Sequence, residues 1–249
     1  MADIVDRLES VTRSFERAAF FGVGALTDML TPACGVGTFI NADTARARLA
    51  ADGARLVADE EQNPFAPASL DLIVSLLTLH NANDVIGALA QHRASLKPDG
   101  LMVAALFGEE TLKSLKAAFY RAEAELTSGA SARFHPFASV KDLGQALQRA
   151  GFALPVADVD PVSVRYRDPL QLFRDLKGMG ETNALKTRGR ALTRAVFARA
   201  MALFAEDGGE ARFDIVYLTG WAPDPSQQKP LKPGSATRSL EQAVKAARR

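Results

Sequence analysis

Between Leu70 and Leu79 the chain reads LDLIVSLLTL, an apolar run interrupted only by Asp71, Ser75 and Thr78. A stretch this short and this apolar offers neither face to water, as expected of a strand buried on both sides in a parallel sheet. It falls short of the roughly 18 apolar residues needed to cross a bilayer. The rest of the chain must therefore supply parallel neighbours for this strand and helices to cover both faces of the sheet.

The flanking sequence does so in order. Ile4, Leu8, Val11 and Phe15 recur at helical spacing and predict a helix over residues 3–17. Strand-like runs follow at Ala18–Val23, Gly37–Ala42 and Arg55–Ala58, with helices expected at Ala25–Leu30 and from Thr44 to about Ala51. After the central strand come a helix over Asp84–Leu96, a turn at Lys97-Pro98-Asp99-Gly100 and a strand over Leu101–Phe107. This alternation predicts a doubly wound, Rossmann-like α/β sheet with right-handed crossovers.

The second half is more helical. Helices are expected at Thr111–Leu126 and Val140–Ala150, strands at Phe152–Val159 and Val162–Tyr166, and a helix capped by Asp168 with Pro169 at its first position. A further helix over Ala191–Ala205 precedes a strand over Arg212–Gly220. The expected organisation is an α/β domain of residues 1–167 and 208–222, a helical cap of residues 168–207 inserted between late strands, and a mobile tail of residues 223–249.

Thirty basic residues against twenty-nine acidic ones give a net charge of +1, which leaves no general footprint for nucleic acid. The cluster Lys186, Arg188, Arg190, Arg194 and Arg199 reads as a solvated helix face, an acidic partner being the alternative. Cys34 is the single cysteine, so an internal disulfide and a cysteine-based zinc site are excluded, and beside the turn-like Pro32–Gly35 it reads as a small buried or loop residue rather than a nucleophile. His80, His92 and His135 are too scattered to predict a metal site, and His92 is expected on the surface of its helix. With no secretory pattern at Met1–Asp6 and no transmembrane segment, the expected location is cytoplasmic.

In a doubly wound sheet, ligands bind outside the carboxyl ends of the strands, where strand order reverses. A nucleoside held there needs glycine for close backbone approach, a carboxylate for the ribose diol and an acceptor near the base. Gly22 and Gly24 follow the first strand, Asp43 the second, and Asp59 with Glu60 the third, while Ser75 lies near the end of the central one. Asp43 stands 21 residues after Gly22, close to the spacing of about 20 for a ribose-binding acid. Its alternative role is to cap the helix expected from Thr44.

The strings DEEQNPF (Asp59–Phe65), SLDLIVSLLTLH (Ser69–His80), LKPDG (Leu96–Gly100), DLKGMGETN (Asp175–Asn183) and SQQKP (Ser226–Pro230) carry a resemblance beyond this pattern. Over about residues 15–238 the chain resembles class I methyltransferases, and among them the complex I (NADH:ubiquinone oxidoreductase) assembly-factor branch, relatives of the biotin-pathway malonyl-carrier methyltransferases. The resemblance implies S-adenosylmethionine as cofactor and a protein client, in particular a complex I subunit, as partner. It departs from the family at Phe20, where an acid is expected, and at Asn81, where tryptophan is usual.

Methyl transfer from a sulfonium is a displacement that needs orientation and desolvation more than a catalytic triad. A guanidinium nucleophile would also need a carboxylate, for which Asp175 and Glu181 are candidates. His80 lies where the family lines its active site, with a structural role as the alternative. Met179, Gly180, Glu181 and Asn183 are the expected client contacts, against the plainer reading that Gly180 ends a helix and its neighbours only solvate a loop. The expected function is methyltransferase action on a protein client in complex I assembly. The alternatives are a non-catalytic assembly chaperone and a carrier-protein methyltransferase.

Overall fold

The structure is a computed structural model that describes residues 1–50, 53–183, 185, 186 and 189–228. Its centre is β4 (Leu70–Leu76), every residue of which is buried. On one side β4 pairs in parallel with β1 (Phe15–Phe21), followed by β2 (Val36–Asp43) and β3 (Ala54–Val57). On the other it pairs in parallel with β5 (Leu96–Phe107), which leads to β7 (Glu210–Trp221) and to β6 (Ala153–Arg165) at the far edge. The order is β3-β2-β1-β4-β5-β7-β6, with β7 antiparallel to both its neighbours. Strand order reverses between β1 and β4, so the ligand crevice of such a sheet opens at their carboxyl ends.

The alternation of side chains along each strand sorts the core into two faces. Ala19, Phe21, Ile73, Met102 and Ala104 point to the face covered by α2 (Val85–Ser95) and α4 (Val140–Arg149). Phe15, Phe20, Leu72, Val74 and Val103 point to the other, where α1 (Ala2–Glu9) presses Ile4 and Leu8 against them. Beyond the end of β5, α3 (Lys113–Leu126), α5 (Pro169–Met179) and α6 (Arg194–Glu206) build a third cluster around Phe107, Phe119, Phe204 and Phe213.

Local expectations fail where tertiary pairing competes with them. The first helix stops at Glu9, because Phe15 is drawn into register with Val36 on β2. The helix expected from Thr44 is reduced to a single 3-10 turn, Arg46–Arg48, where Asp43 Oδ1 accepts from the Ala45 amide at 2.8 Å and from Arg48 Nε at 3.0 Å. The segment Ala25–Leu30 is likewise 3-10 (Gly24–Met29), and the described link from β1 to β2 contains no α-helix. Lys97–Gly100 is a bulge inside β5, since Leu96 pairs with Leu70 and Leu101 already pairs with Leu72. The two late strands merge into one β6, with Pro161 tolerated because the strand lies at the edge. The tail expected from Pro223 falls, from residue 229 on, outside the described residues.

Candidate functional site

The register sets Phe21 of β1 beside Ala42 of β2 and Ser75 of β4, so three strand ends meet at one point. A cavity of about 210 Å³ opens there. Gly22 turns the chain at φ +69°, and a Cβ on it would lie 2.5 Å from both the Leu76 carbonyl oxygen and Thr78 Cγ2. Only glycine lets β1 close against β4 at this level.

Asp43 is buried in the wall of this cavity, with the Arg48 guanidinium bonded to its Oδ1. Among the described residues its Oδ2 has no hydrogen-bond partner. Asp59 caps a short turn by accepting from the Glu61 amide at 2.9 Å. Glu61 in turn accepts from the Asp84 amide (2.8 Å) and Asn83 Nδ2 (2.8 Å), which hold its carboxyl below the usual carboxylate range.

Glu60 and Ser75 are not free to take a ligand. Ser75 Oγ donates to Glu60 Oε1 at 3.0 Å, Thr78 Oγ1 donates to the same oxygen, and His92 Nε2 donates to Oε2 at 2.9 Å. This network reaches the cavity wall at Glu60 and Thr78 and ties β4 to α2. It also corrects the expectation for His92, which is fully buried rather than on the surface.

The cavity suits one end of the expected cofactor. Asp43, Asp59 and the close approach at Gly22 fit a nucleoside. The amino-acid end finds no equivalent. Phe20 is fully buried in the core, edge-on to Phe39 at 5.1 Å. Gly24 does not line the cavity, and a Cβ on it would lie 2.7 Å from the Arg48 carbonyl oxygen. Among the described residues no α-helix follows β1 to offer its N-terminus to a carboxylate; the segment Gly24–Met29 is a 3-10 turn.

A second cavity of about 340 Å³ lies between the end of β5, α3 and α5. Phe107, Phe119, Phe134, Phe137, Phe173 and Phe213 make its walls aromatic. Asn81 and Glu181 line both cavities and form the partition between them. His80 follows β4 in the 3-10 turn Leu79–Asn81, buried, with its ring 4.9 Å from Phe107 and 5.6 Å from Phe137. Its Nε2 donates to Glu181 Oε1 at 3.2 Å and fixes the carboxylate at the junction. His135, also in the wall, is held below the ordinary imidazole pKa by burial first and by nearby His80 second.

Glu181 reaches this point through the end of α5. The Glu181 amide donates to the Leu176 carbonyl at 2.8 Å and the Gly180 amide to Lys177 at 3.1 Å, with Gly180 at φ +86°: a Schellman cap. Gly180 thus ends the helix, as the plainer reading had it, and the same turn sets Met179 and Glu181 in the wall of the first cavity and Asn183 in the aromatic one. Asp175 is a correction. It faces away from both cavities, accepting from Gln171 Nε2 at 2.7 Å beside Tyr166. Arg48, Thr78, His135 and the aromatic walls are the parts that sequence reasoning missed; the Phe134-His135-Pro136-Phe137 string was the available signal. Among the described residues no cluster of three His, Cys, Asp or Glu side chains is arranged to hold a metal, and no helix is long and apolar enough to cross a membrane.

The family signature described as "Methyltransferase domain" matches residues 21–104. The zebrafish (Danio rerio) protein named arginine-hydroxylase NDUFAF5, mitochondrial, is 37% identical over 250 residues, which span 95% of this chain and 78% of that protein. A malonyl-[acyl-carrier protein] O-methyltransferase of Laribacter hongkongensis is 37% identical over 73% of this chain and 61% of its own length. Among solved structures the YcgJ protein of Bacillus subtilis superposes with a TM-score of 0.60 at 14% identity, over 90% of this chain and 97% of that one. The expected cytoplasmic location does not stand, since the zebrafish relative is named a mitochondrial protein. With a Rossmann-like methyltransferase sheet and this identity across nearly its whole length, the chain belongs to the NDUFAF5 family, within a wider group that includes the malonyl-carrier methyltransferases.

Proposed function

We propose that the chain receives an arginine side chain of a protein client in the aromatic cavity, against Glu181, beside a cleft for the nucleoside of S-adenosylmethionine. The client belongs to respiratory complex I, whose assembly the sequence resemblance implies. The observation that carries this reading is the position of Glu181, the acidic group shared by an aromatic cavity and the nucleoside cleft. Aromatic faces hold a guanidinium plane by stacking and cation–π attraction, and a carboxylate orients it. His80 keeps that carboxylate in place, and Phe107 and Phe137 shield the pair from water. When bound, S-adenosylmethionine supplies an electrophilic methyl group. The name of the zebrafish relative supports arginine as the residue acted on and names a hydroxylation.

The test titrates the full chain with peptides tiled over arginine positions of complex I subunits, with and without S-adenosylmethionine, and reads intact mass to tell an added methyl from an added hydroxyl. Arginine peptides are expected to bind better than their lysine counterparts, and Glu181→Gln to remove the preference. Equal binding of both peptides by wild type and variant would overturn the reading. One observation favours a second reading. Phe20 in the core leaves the cofactor's amino-acid end without a partner, and Arg48 bonds the carboxylate read as the ribose contact, which suits a non-catalytic assembly chaperone. Client binding with no response to S-adenosylmethionine even at millimolar concentration would establish it.

A further inference from the structure

Arg48 stands on a turn where a helix was expected, and its side chain crosses the nucleoside cleft. On one wall Nε donates to Asp43 Oδ1 at 3.0 Å and Nη2 to Thr44 Oγ1 at 3.2 Å. On the opposite wall Nη1 lies 2.8 Å from the point where a Cβ on Gly180 would stand, so the guanidinium also touches the turn that ends α5. A side chain that merely capped its own turn would have no reason to reach an element 132 residues away in sequence. Among the described residues lining the cleft, Arg48 is the one cation, facing Asp43, Asp59, Glu60, Glu61 and Glu181.

We propose that Arg48 is an internal stand-in for the nucleoside: it occupies the ribose carboxylate in the free protein, must swing out for a nucleoside to bind, and in doing so releases the Gly180–Glu181 turn. The inference rests on the reading of Asp43 as the ribose contact. Three features of the site carry it. The guanidinium spans the cleft from Asp43 Oδ1 to the Gly180 turn, so a nucleoside approaching Asp43, only 6% exposed, meets Arg48 first. The Arg48 side chain is 50% exposed, so it has somewhere to go when displaced. Its far contact falls on the segment that presents Glu181 to the aromatic cavity, so displacement at one site is felt at the other. The two sites are then linked, and by reciprocity client contacts that draw the turn away from Arg48 tighten the nucleoside site.

The experiment is calorimetric titration of the full chain with S-adenosylhomocysteine, comparing wild type with Arg48→Met, Arg48→Lys and Asp43→Ala. Methionine keeps the stem's packing and removes the charge, and circular dichroism confirms folding of each protein. Removing a half-exposed ionic competitor is expected to tighten binding about threefold to tenfold in Arg48→Met, with Arg48→Lys in between and Asp43→Ala weaker than wild type. Because S-adenosylhomocysteine carries no net charge, added salt should strengthen wild-type binding by loosening the internal pair, and leave Arg48→Met little changed. If wild type binds and Asp43→Ala weakens it, while Arg48→Met binds no tighter than wild type, the stand-in is wrong and the nucleoside reading survives. If no protein, Arg48→Met included, binds at millimolar ligand, the nucleoside reading falls and takes this inference with it.

Discussion

Replacing Glu60 should unlock the floor of the cavity at the ends of β1, β2 and β4. Its carboxylate is only 6% exposed and accepts from Ser75, Thr78 and His92, the last of which is wholly buried. His92 is committed to donating from Nε2, because its Nδ1 faces the Asn63 amide nitrogen at 3.3 Å. In Glu60→Ala the two hydroxyls, 3.2 Å apart, can turn to each other, whereas the imidazole N–H is left buried and alone. An orphaned buried donor costs ~1–3 kcal/mol and the lost charge-assisted bonds ~1.5–3 kcal/mol. A loss of ~3–5 kcal/mol follows, a large part of the stability of any single domain. Glu60→Gln keeps the volume and one acceptor but turns an amide group on the imidazole N–H, for ~1–3 kcal/mol. The single tryptophan, Trp221 on β7, reports unfolding in urea. With a slope of ~2 kcal/mol per molar urea, the midpoint should fall by ~1.5–2.5 M for alanine and ~0.5–1.5 M for glutamine. An alanine variant within ~0.5 M of wild type would show that Glu60 does not hold β4 to α2.

Two other perturbations test the frame around the site. Gly22→Ala meets both a left-handed φ and a backbone carbonyl oxygen at 2.5 Å, and should lose ~2–4 kcal/mol in urea denaturation, whereas Gly53→Ala, left-handed but in open space, should lose only ~1 kcal/mol. His135 is held below its ordinary value of 6.5, so the stability it contributes is present above that pH. It is lost as pH falls through the folded value, because the unfolded chain takes the proton first. Urea midpoints measured between about pH 7 and pH 5 should therefore fall less steeply in His135→Gln than in wild type.

The sheet was legible because its signals are local and agree with one another. The apolar run of β4, the strand-helix alternation around it and the Asp168-Pro169 start of α5 each need only a few neighbouring residues to be read. The candidate site was legible only in part. Gly22, Asp43 and Asp59 follow from strand ends and spacing, and they do line one cavity. The pairing of His80 with Glu181 joins residues 101 apart in sequence, and the aromatic cavity draws on β5, α3, α5, β7 and the loop at Phe134–Phe137. No periodicity encodes such a convergence. His92 was misplaced for a related reason: its helix shows almost no apolar contrast between faces, and burial there is decided by Glu60 on another element. Asp43 hides a competition of the same kind. Its carboxylate satisfies the Ala45 amide and Arg48 at once, and that local alternative outweighs the helical preference of the alanine- and arginine-rich stretch that begins at Thr44.

The departure at Phe20 and the missing helix after β1 are consistent halves of one change. In a working cofactor loop, an acid at the end of β1 is stabilised by the ligand it holds and by the helix amides beside it. Without that helix, the β1 position lies in the apolar cluster that also holds α1, Val23, Cys34 and Phe39. An unpaired carboxylate there would carry a desolvation cost of several kcal/mol. Phenylalanine instead gains ~1.5–3 kcal/mol from burial and ~0.5–1.5 kcal/mol from its edge-on contact with Phe39. The end of β1 is thereby closed by apolar packing, while the carboxyl ends of β2 and β4, which carry Asp43 and lead to His80, keep their polar groups.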